Sequence, residues 1–265
     1  MNLFLREMKA NRKSLIIWSI FLFIFVAASM GKFGGLSGST QSMNELMSKM
    51  PRGVKDLFGM NGFDLSTING YFGVIFMYLV LVATIHSAML GANILSKEET
   101  DKTAEFLFVK PISRNTIVKS KILAVLVNIL IVNLVISVSS IIFVTYYNKG
   151  VSVTSDIIDL MIGLYIMQLI FAFIGTVAAA VCKRPKAVGP IATSILLVTF
   201  FMSMLIDLNR NLVNLKFFTP FKYFDARNII NKQGLDPFFI LLSVLIIVIL
   251  INVTFIFYKK RDLKI

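Results

Sequence analysis

Hydrophobic positions in this chain run in long blocks instead of alternating with polar ones. Six stretches, near Leu15 to Gly31, Tyr71 to Leu95, Ile122 to Tyr147, Ile157 to Val181, Ala187 to Ile206 and Pro237 to Tyr258, each carry sixteen or more residues almost free of charge. At a rise of 1.5 Å per residue, a bilayer core about 30 Å thick needs roughly 20 residues, so five blocks are long enough alone and the first needs its neighbours. Helix-start signals sit at several edges: Asp156 can cap the fourth block, Pro190 falls in the first turn of the fifth, and Asp236 followed by Pro237 opens the sixth. The pattern predicts an all-α membrane protein of six transmembrane helices, a single transmembrane domain over residues 1–265 with no internal repeat.

Composition sharpens that picture. Hydrophobic residues make up 57% and charged residues 15%, against roughly 45–50% and about 25% in ordinary globular chains. A soluble enzyme, a disulfide-stapled secreted domain and a disordered tail protein are excluded. Cys182 is the only cysteine, so an internal disulfide and a cysteine-rich metal site are excluded too. The net charge of +13 raises the question of nucleic acid, but the basic residues flank the apolar blocks. They read as anchors on membrane lipid, with no nucleic-acid partner.

The same residues orient the chain. Residues 1–14, 96–121, 182–186 and 259–265 hold 17 Lys and Arg in 52 positions, whereas 32–70, 148–156 and 207–236 hold 10 in 78. The denser set is expected in the cytoplasm, which puts both termini there. Residues 1–14 form an amphipathic start: Arg6, Lys9 and Lys13 share one face, and Phe4 and Met8 lie on another. A helix resting in the inner interface is expected. The first block also resembles a secretory signal ending in Ala27-Ala28-Ser29, but it is read as an uncleaved span.

Several chemistries are missing. The one Gly-Lys pair, Gly31-Lys32, is followed by Phe33, so the chain has no phosphate-cradling Gly-x-x-x-x-Gly-Lys-Ser/Thr loop. No Asp, Glu, Lys or Arg lies deep in a block, Asp159 being one turn inside the fourth, which gives a proton or sodium path little support. Gly35-Leu36-Ser37-Gly38 matches an intramembrane-protease serine motif, but His86, the only histidine, lies roughly 24 Å below the membrane edge where Ser37 is expected. No catalytic residue, resident cofactor or metal ligand is expected.

The most informative stretch joins the second and third blocks. Glu98, Asp101, Lys102 and Glu105 share a helical face, Pro111 interrupts it, and Ser113 can cap a second helix through Lys119 and Lys121. Residues 96–121 therefore read as a charged helical hairpin projecting from the membrane. The acidic pair Glu98-Glu99, then Thr103-Ala104-Glu105, an apolar cluster and Pro111-Ile112-Ser113-Arg114 together resemble the corresponding loop of type-2 ABC transporter permeases. The basic amphipathic start, Thr219-Pro220-Phe221-Lys222-Tyr223-Phe224-Asp225 before the last block, and the tail Tyr258-Lys259-Lys260-Arg261-Asp262-Leu263 are similar to that family as well.

The resemblance implies a non-catalytic permease subunit of an ATP-driven exporter in a bacterial cytoplasmic membrane. It would pair with a second permease copy or a close relative, and with two copies of an ABC ATPase subunit that carries ATP and Mg. Glu98, Glu99, Thr103, Glu105, Pro111, Ser113 and Arg114 would then form the ATPase-coupling element. The short external segments depart from relatives with a large outer domain, so no adaptor contact is inferred. By the same resemblance, spans two and five line the route, making Phe200 and Met204 candidate pathway residues; Thr199 lies beside them. His86, Met89 and Asn93 recur along the second span, and interhelical hydrogen bonding is the competing role for such polar groups. An uncharged route favours a hydrophobic or amphipathic cargo: a drug, a lipid-like molecule or an antimicrobial or toxin peptide. The alternatives are a gradient-driven secondary carrier and a non-transporting membrane scaffold or immunity protein.

Overall fold

The computed structural model describes residues 3–36, 48–60, 62–102, 113–148 and 154–260. Its main helices are α1 (Leu3–Leu36), α2 (Arg52–Leu57), α3 (Ile68–Thr100), α4 (Arg114–Tyr147), α5 (Thr154–Val181), α6 (Val188–Leu208) and α7 (Pro237–Lys260). All but α2 are long and apolar enough to cross a membrane, and they overlie the six hydrophobic blocks. Among the described residues there is no strand.

The helix ends are set by local chemistry. Thr67 Oγ1 accepts from the Gly70 amide at 3.1 Å, and Ser113 Oγ accepts from the Thr116 amide at 3.2 Å, each satisfying an otherwise orphaned N–H. Asp236 Oδ1 takes the Phe238 amide at 2.9 Å as α7 begins. Helix α5 starts earlier than its apolar block, so Asp156 sits inside the first turn instead of capping it, still favourably placed against the helix dipole.

At the amino terminus, residues 1–14, expected as an interfacial helix, are continuous with the first span over the described residues. Helix α1 runs unbroken from Leu3 to Leu36, because no Gly or Pro occurs between Leu3 and Ala28 to end it. Its 34 residues make a rod roughly 51 Å long, well beyond a bilayer core of about 30 Å. Phe4, Met8, Leu15 and Trp18 pack against the buried core, so this rod continues into the bundle and packs mainly along α4.

The centre of the bundle is the α3–α5 crossing. A Cβ at Gly91 would overlap the Ala172 carbonyl, and one at Gly175 would overlap the Ala88 carbonyl. Ala88, Ala92, Ala172, Ala179 and Ala180 complete a stripe of small buried residues. Such stripes let backbones approach where lipid tails give no hydrophobic incentive to pack. Outward faces are apolar: Leu241, Leu245 and Ile249 on α7, Leu130, Leu134 and Val138 on α4, and Ile17, Ile20 and Ile24 on α1 are exposed, as hydrocarbon requires.

Two ends can be distinguished. The near end gathers the start of α1, the end of α3, the start of α4 and the end of α7, where Arg114 Nη1 donates to the Lys259 carbonyl at 2.9 Å. The far end carries Tyr71, whose hydroxyl donates to the Ser29 carbonyl at 3.1 Å, and the segment between α6 and α7. That segment folds into short turns of 3-10 helix, Arg210–Phe218 and Pro220–Lys222, then Ala226–Asn228 and a π turn, Ile229–Gln233.

Replacing Gly91 by Val forces the α3 and α5 backbones apart. We expect a loss of about 3 kcal/mol, the upper range for overpacking, read as a fall in the thermal midpoint of the detergent-solubilised chain. Gly189→Ala, where an added Cβ meets nothing within 4 Å, should leave that midpoint unchanged.

Candidate functional site

Three side chains of ionisable type, Glu7, Glu98 and Lys121, are buried at the near end. Lys121, on the second turn of α4, is completely buried and its Nζ lies 2.6 Å from Glu98 Oε1 and 3.4 Å from Glu7 Oε1. It also donates to the Ile94 carbonyl at 2.5 Å. An ammonium has three N–H donors and no acceptor, and here it meets three oxygens from two other helices. Glu98 and Ile94 belong to α3, Glu7 to α1. Just above, Asn128 Nδ2 contacts Met8 Sδ at 3.1 Å and donates to the Ala124 carbonyl at 2.7 Å, extending the α1–α4 seam. Removing such charges from water costs several kcal/mol per ion, so the shared cation holds both carboxylates in place.

Glu98, expected in the ATPase-coupling element, is thus turned inward by the approach of α4. Glu99 lies one position on and is half-buried. Ser113 caps α4 and Arg114 ties α4 to α7. Thr103, Glu105 and Pro111 lie outside the described residues, as do the predicted hairpin tip, Ser37 and the tail beyond Lys260.

The far end holds a second constellation. Asp207, at the end of α6, accepts from Lys222 Nζ at 2.6 Å and Arg227 Nη2 at 2.7 Å. Asp225 accepts from the same arginine through Nη2 at 2.6 Å and Nε at 2.9 Å, and its Oδ1 takes the Arg227 amide at 3.0 Å. Burial raises the Asp225 carboxyl, but the Arg227 hydrogen bonds and charge, with Lys222 behind them, overcome this and hold it at about 2. Arg227 is raised correspondingly: burial alone would lower it, and Asp225 and Asp207 outweigh that. The lattice caps a cavity of about 70 Å³ lined by Phe76, Met77, Phe200, Met204, Phe221 and Phe224, with the four charged residues on its wall.

The sequence motif spanning Thr219 to Asp225 builds this end. The Thr219 hydroxyl donates to the Thr199 carbonyl at 2.8 Å, Phe221 sits 5.2 Å from both the Phe171 and Phe200 rings, and Tyr223 stacks on Phe239 at 5.0 Å. Phe200 and Met204 therefore meet at one cavity, with Thr199 behind them. His86, Met89 and Asn93 do not join it. His86 is buried 5.0 Å from Trp18 of α1, and its Nδ1 has no partner among the described residues; Met89 and Asn93 are exposed on α3. In the middle of the bundle Asn133 Nδ2 donates to Gln168 Oε1 at 3.2 Å and to the Met161 carbonyl at 3.3 Å, the interhelical bonding expected of such residues. Among the described residues no group of three or more His, Cys, Asp or Glu could hold a metal ion.

A family model described as ABC-2 family transporter protein matches residues 1–263. The chain belongs to the ABC-2 transporter family. An ABC-2 family protein with six apolar helices is a multi-pass membrane protein. A search of curated proteins gave no match. For an ABC-2 transporter chain, the notable omission from the sequence reading is Glu7. It is the only acid among the first 44 residues, and a lone carboxylate in a basic segment is a signal that it has an internal partner. Asp207, Lys222, Asp225 and Arg227 form a lattice across 21 residues with no local spacing to announce it.

Two outcomes are expected. Lys121→Met leaves two buried carboxylates without their cation and should cost about 3–5 kcal/mol, seen as a large drop in thermal midpoint, whereas Lys119→Met, on the exposed face, should move it little. The depressed Asp225 pKa means its contribution is complete above the ordinary value of 3.8 and lost as pH falls toward about 2. Unfolding midpoints between pH 5 and pH 2 should therefore fall less steeply in Asp225→Asn than in the parent chain, from a lower starting value.

Proposed function

We propose that this ABC-2 transporter chain is the non-catalytic permease subunit of an ATP-driven exporter, with the near end in the cytoplasm and facing a separate ABC ATPase. The observation that carries this reading is the composition of the near end. Both described helix termini, the two stems of the 96–121 connection and the denser set of Lys and Arg are gathered there, consistent with the positive-inside rule. ATP and Mg belong to the partner, and the family match over 1–263 supports association with an ABC ATPase. Two ATPase copies and a second permease copy complete the proposed assembly.

In this assembly, closure of the ATPase pushes on residues 96–121, and the displacement travels up α3 and α4 as rigid rods. The route lies along α3 and α6 and ends at the far cavity. Phe200 and Met204 present an apolar surface there, and the wall charges are already paired with each other. A cargo with a large apolar part suits that surface better than a strongly charged solute. Hydrophobic drugs, lipid-like molecules and amphipathic peptides are the proposed cargo classes, and export past the far end is the proposed direction.

The test is purification of the full chain from its native membranes in mild detergent. An ATP-hydrolysing subunit should accompany it, and transport into inside-out vesicles should require Mg-ATP. Transport that survives ATP depletion and collapses with an ionophore would favour a gradient-driven carrier instead, and a chain that moves nothing would favour a scaffold.

A further inference from the structure

Glu7 has a place in the bundle that its neighbours on α1 do not share. Arg6, Lys9, Arg12 and Lys13 make the start of α1 basic, yet its one acid is 4% exposed and aimed at Lys121. The same ammonium holds the Ile94 carbonyl and Glu98 on α3. Lys121 and Glu98 stand on the two stems of the connection through 103–112. One buried cation therefore pins three things together: the stem that leaves the membrane, the stem that returns, and α1. Elsewhere α1 meets α3 through ring packing of Trp18 on His86 and, at the far end, through Tyr71 against Ser29 and Phe33. At the near end α1 packs along the returning stem, with Met8 on Asn128, and the ionic link adds a tie from α1 through Lys121 to the departing stem at Glu98.

We propose that Glu7 is a positioning residue for energy coupling: acting through Lys121, it makes α1 move as one body with the stems of the 96–121 connection. This rests on the permease reading above and adds a mechanical role for the amino-terminal helix. The physical reason is that an ion pair out of water cannot be exchanged cheaply for hydration, so the link survives displacement of the stems and transmits it. A hydrophobic contact of the same size would slide. Because both carboxylates share one ammonium, substitution of Glu7 leaves the Lys121–Glu98 pair intact and removes only the ionic tie of α1, leaving its packing along α4.

The experiment uses spin labels at Lys9 and Lys97, both exposed, in a Cys182→Ser background of the full chain in lipid nanodiscs with its co-purified ATPase. The interspin distance should be narrow and unchanged on adding Mg-ATP, while the distance from Lys97 to a label on the far end, at Asn209, changes. In Glu7→Gln the Lys9–Lys97 distribution should be broader than in the parent chain without nucleotide and broaden further on adding Mg-ATP, and transport per ATP hydrolysed should fall roughly tenfold, the scale of a typical coupling free energy, with hydrolysis itself retained. The exchange Glu7→Lys with Lys121→Glu, which puts the cation on α1 between two carboxylates, should restore the narrow distribution and the coupling. A narrow, ATP-invariant distribution and full coupling in Glu7→Gln would overturn the proposal. So would a Lys9–Lys97 distance that changes with Mg-ATP in the parent chain. Failure of any ATPase to accompany the chain would overturn the permease reading, and the width of the Lys9–Lys97 distribution without nucleotide would still decide whether Glu7 tethers α1.

Discussion

A single ammonium group organises the near end of this bundle. Lys121 takes no contact with water and spends its three protons on the Ile94 carbonyl, Glu98 and Glu7, so helices α1, α3 and α4 cannot separate there without stranding a charge in a medium that does not solvate it. Most of the other helix contacts are apolar and non-directional. In a membrane such contacts gain little over lipid, and the geometry must come from close-packed small residues and from polar ties. The α3–α5 crossing at Gly91 and Gly175 supplies the first kind of constraint, and the Lys121 cluster supplies the second.

The far end is built on a different principle. There the acids and bases number two each and compensate one another within a partly exposed lattice. The lattice holds the Thr219–Asp225 segment down on α6, while the rings of Phe221 and Tyr223 pack on Phe171 of α5 and Phe239 of α7. One end is thus tied by excess buried acid around one base, the other by a neutral network over an apolar cavity. Under the proposed function this asymmetry puts the buried ionic link where the ATPase would push and the paired charges where cargo would leave. In the ABC-2 family reading, α3 and α6 connect the two.

Much of this architecture is legible in the residues alone, because crossing hydrocarbon leaves few options. Uninterrupted apolar runs mark all six long helices, and Ser113 and Asp236 mark two of their beginnings. Phe200 and Met204 meet at the far cavity because they lie one turn apart on α6. The side-chain partnerships are harder to read. Glu98 has the sequence context of a solvated helix face, and only the approach of α4 turns it inward. Glu7 is hidden among four basic residues that suggest a surface helix, and the unbroken α1 rod exists because no Gly or Pro interrupts it, a negative signal easily passed over. His86 follows the spacing of Met89 and Asn93, but their helix is packed on more than one side, so shared spacing does not give them a shared neighbour.

The central claim is that the end carrying Lys121 faces the cytoplasm. Cys182 reports on it without any substitution, since it is the chain's single cysteine, half-exposed, and lies at the near end in the turn between α5 and α6. Its reaction with a membrane-impermeant maleimide should be measured in intact cells and in inside-out vesicles. Labelling confined to the inside-out vesicles is the predicted result. Labelling in intact cells would place the Lys121 cluster on the outer surface and contradict the account.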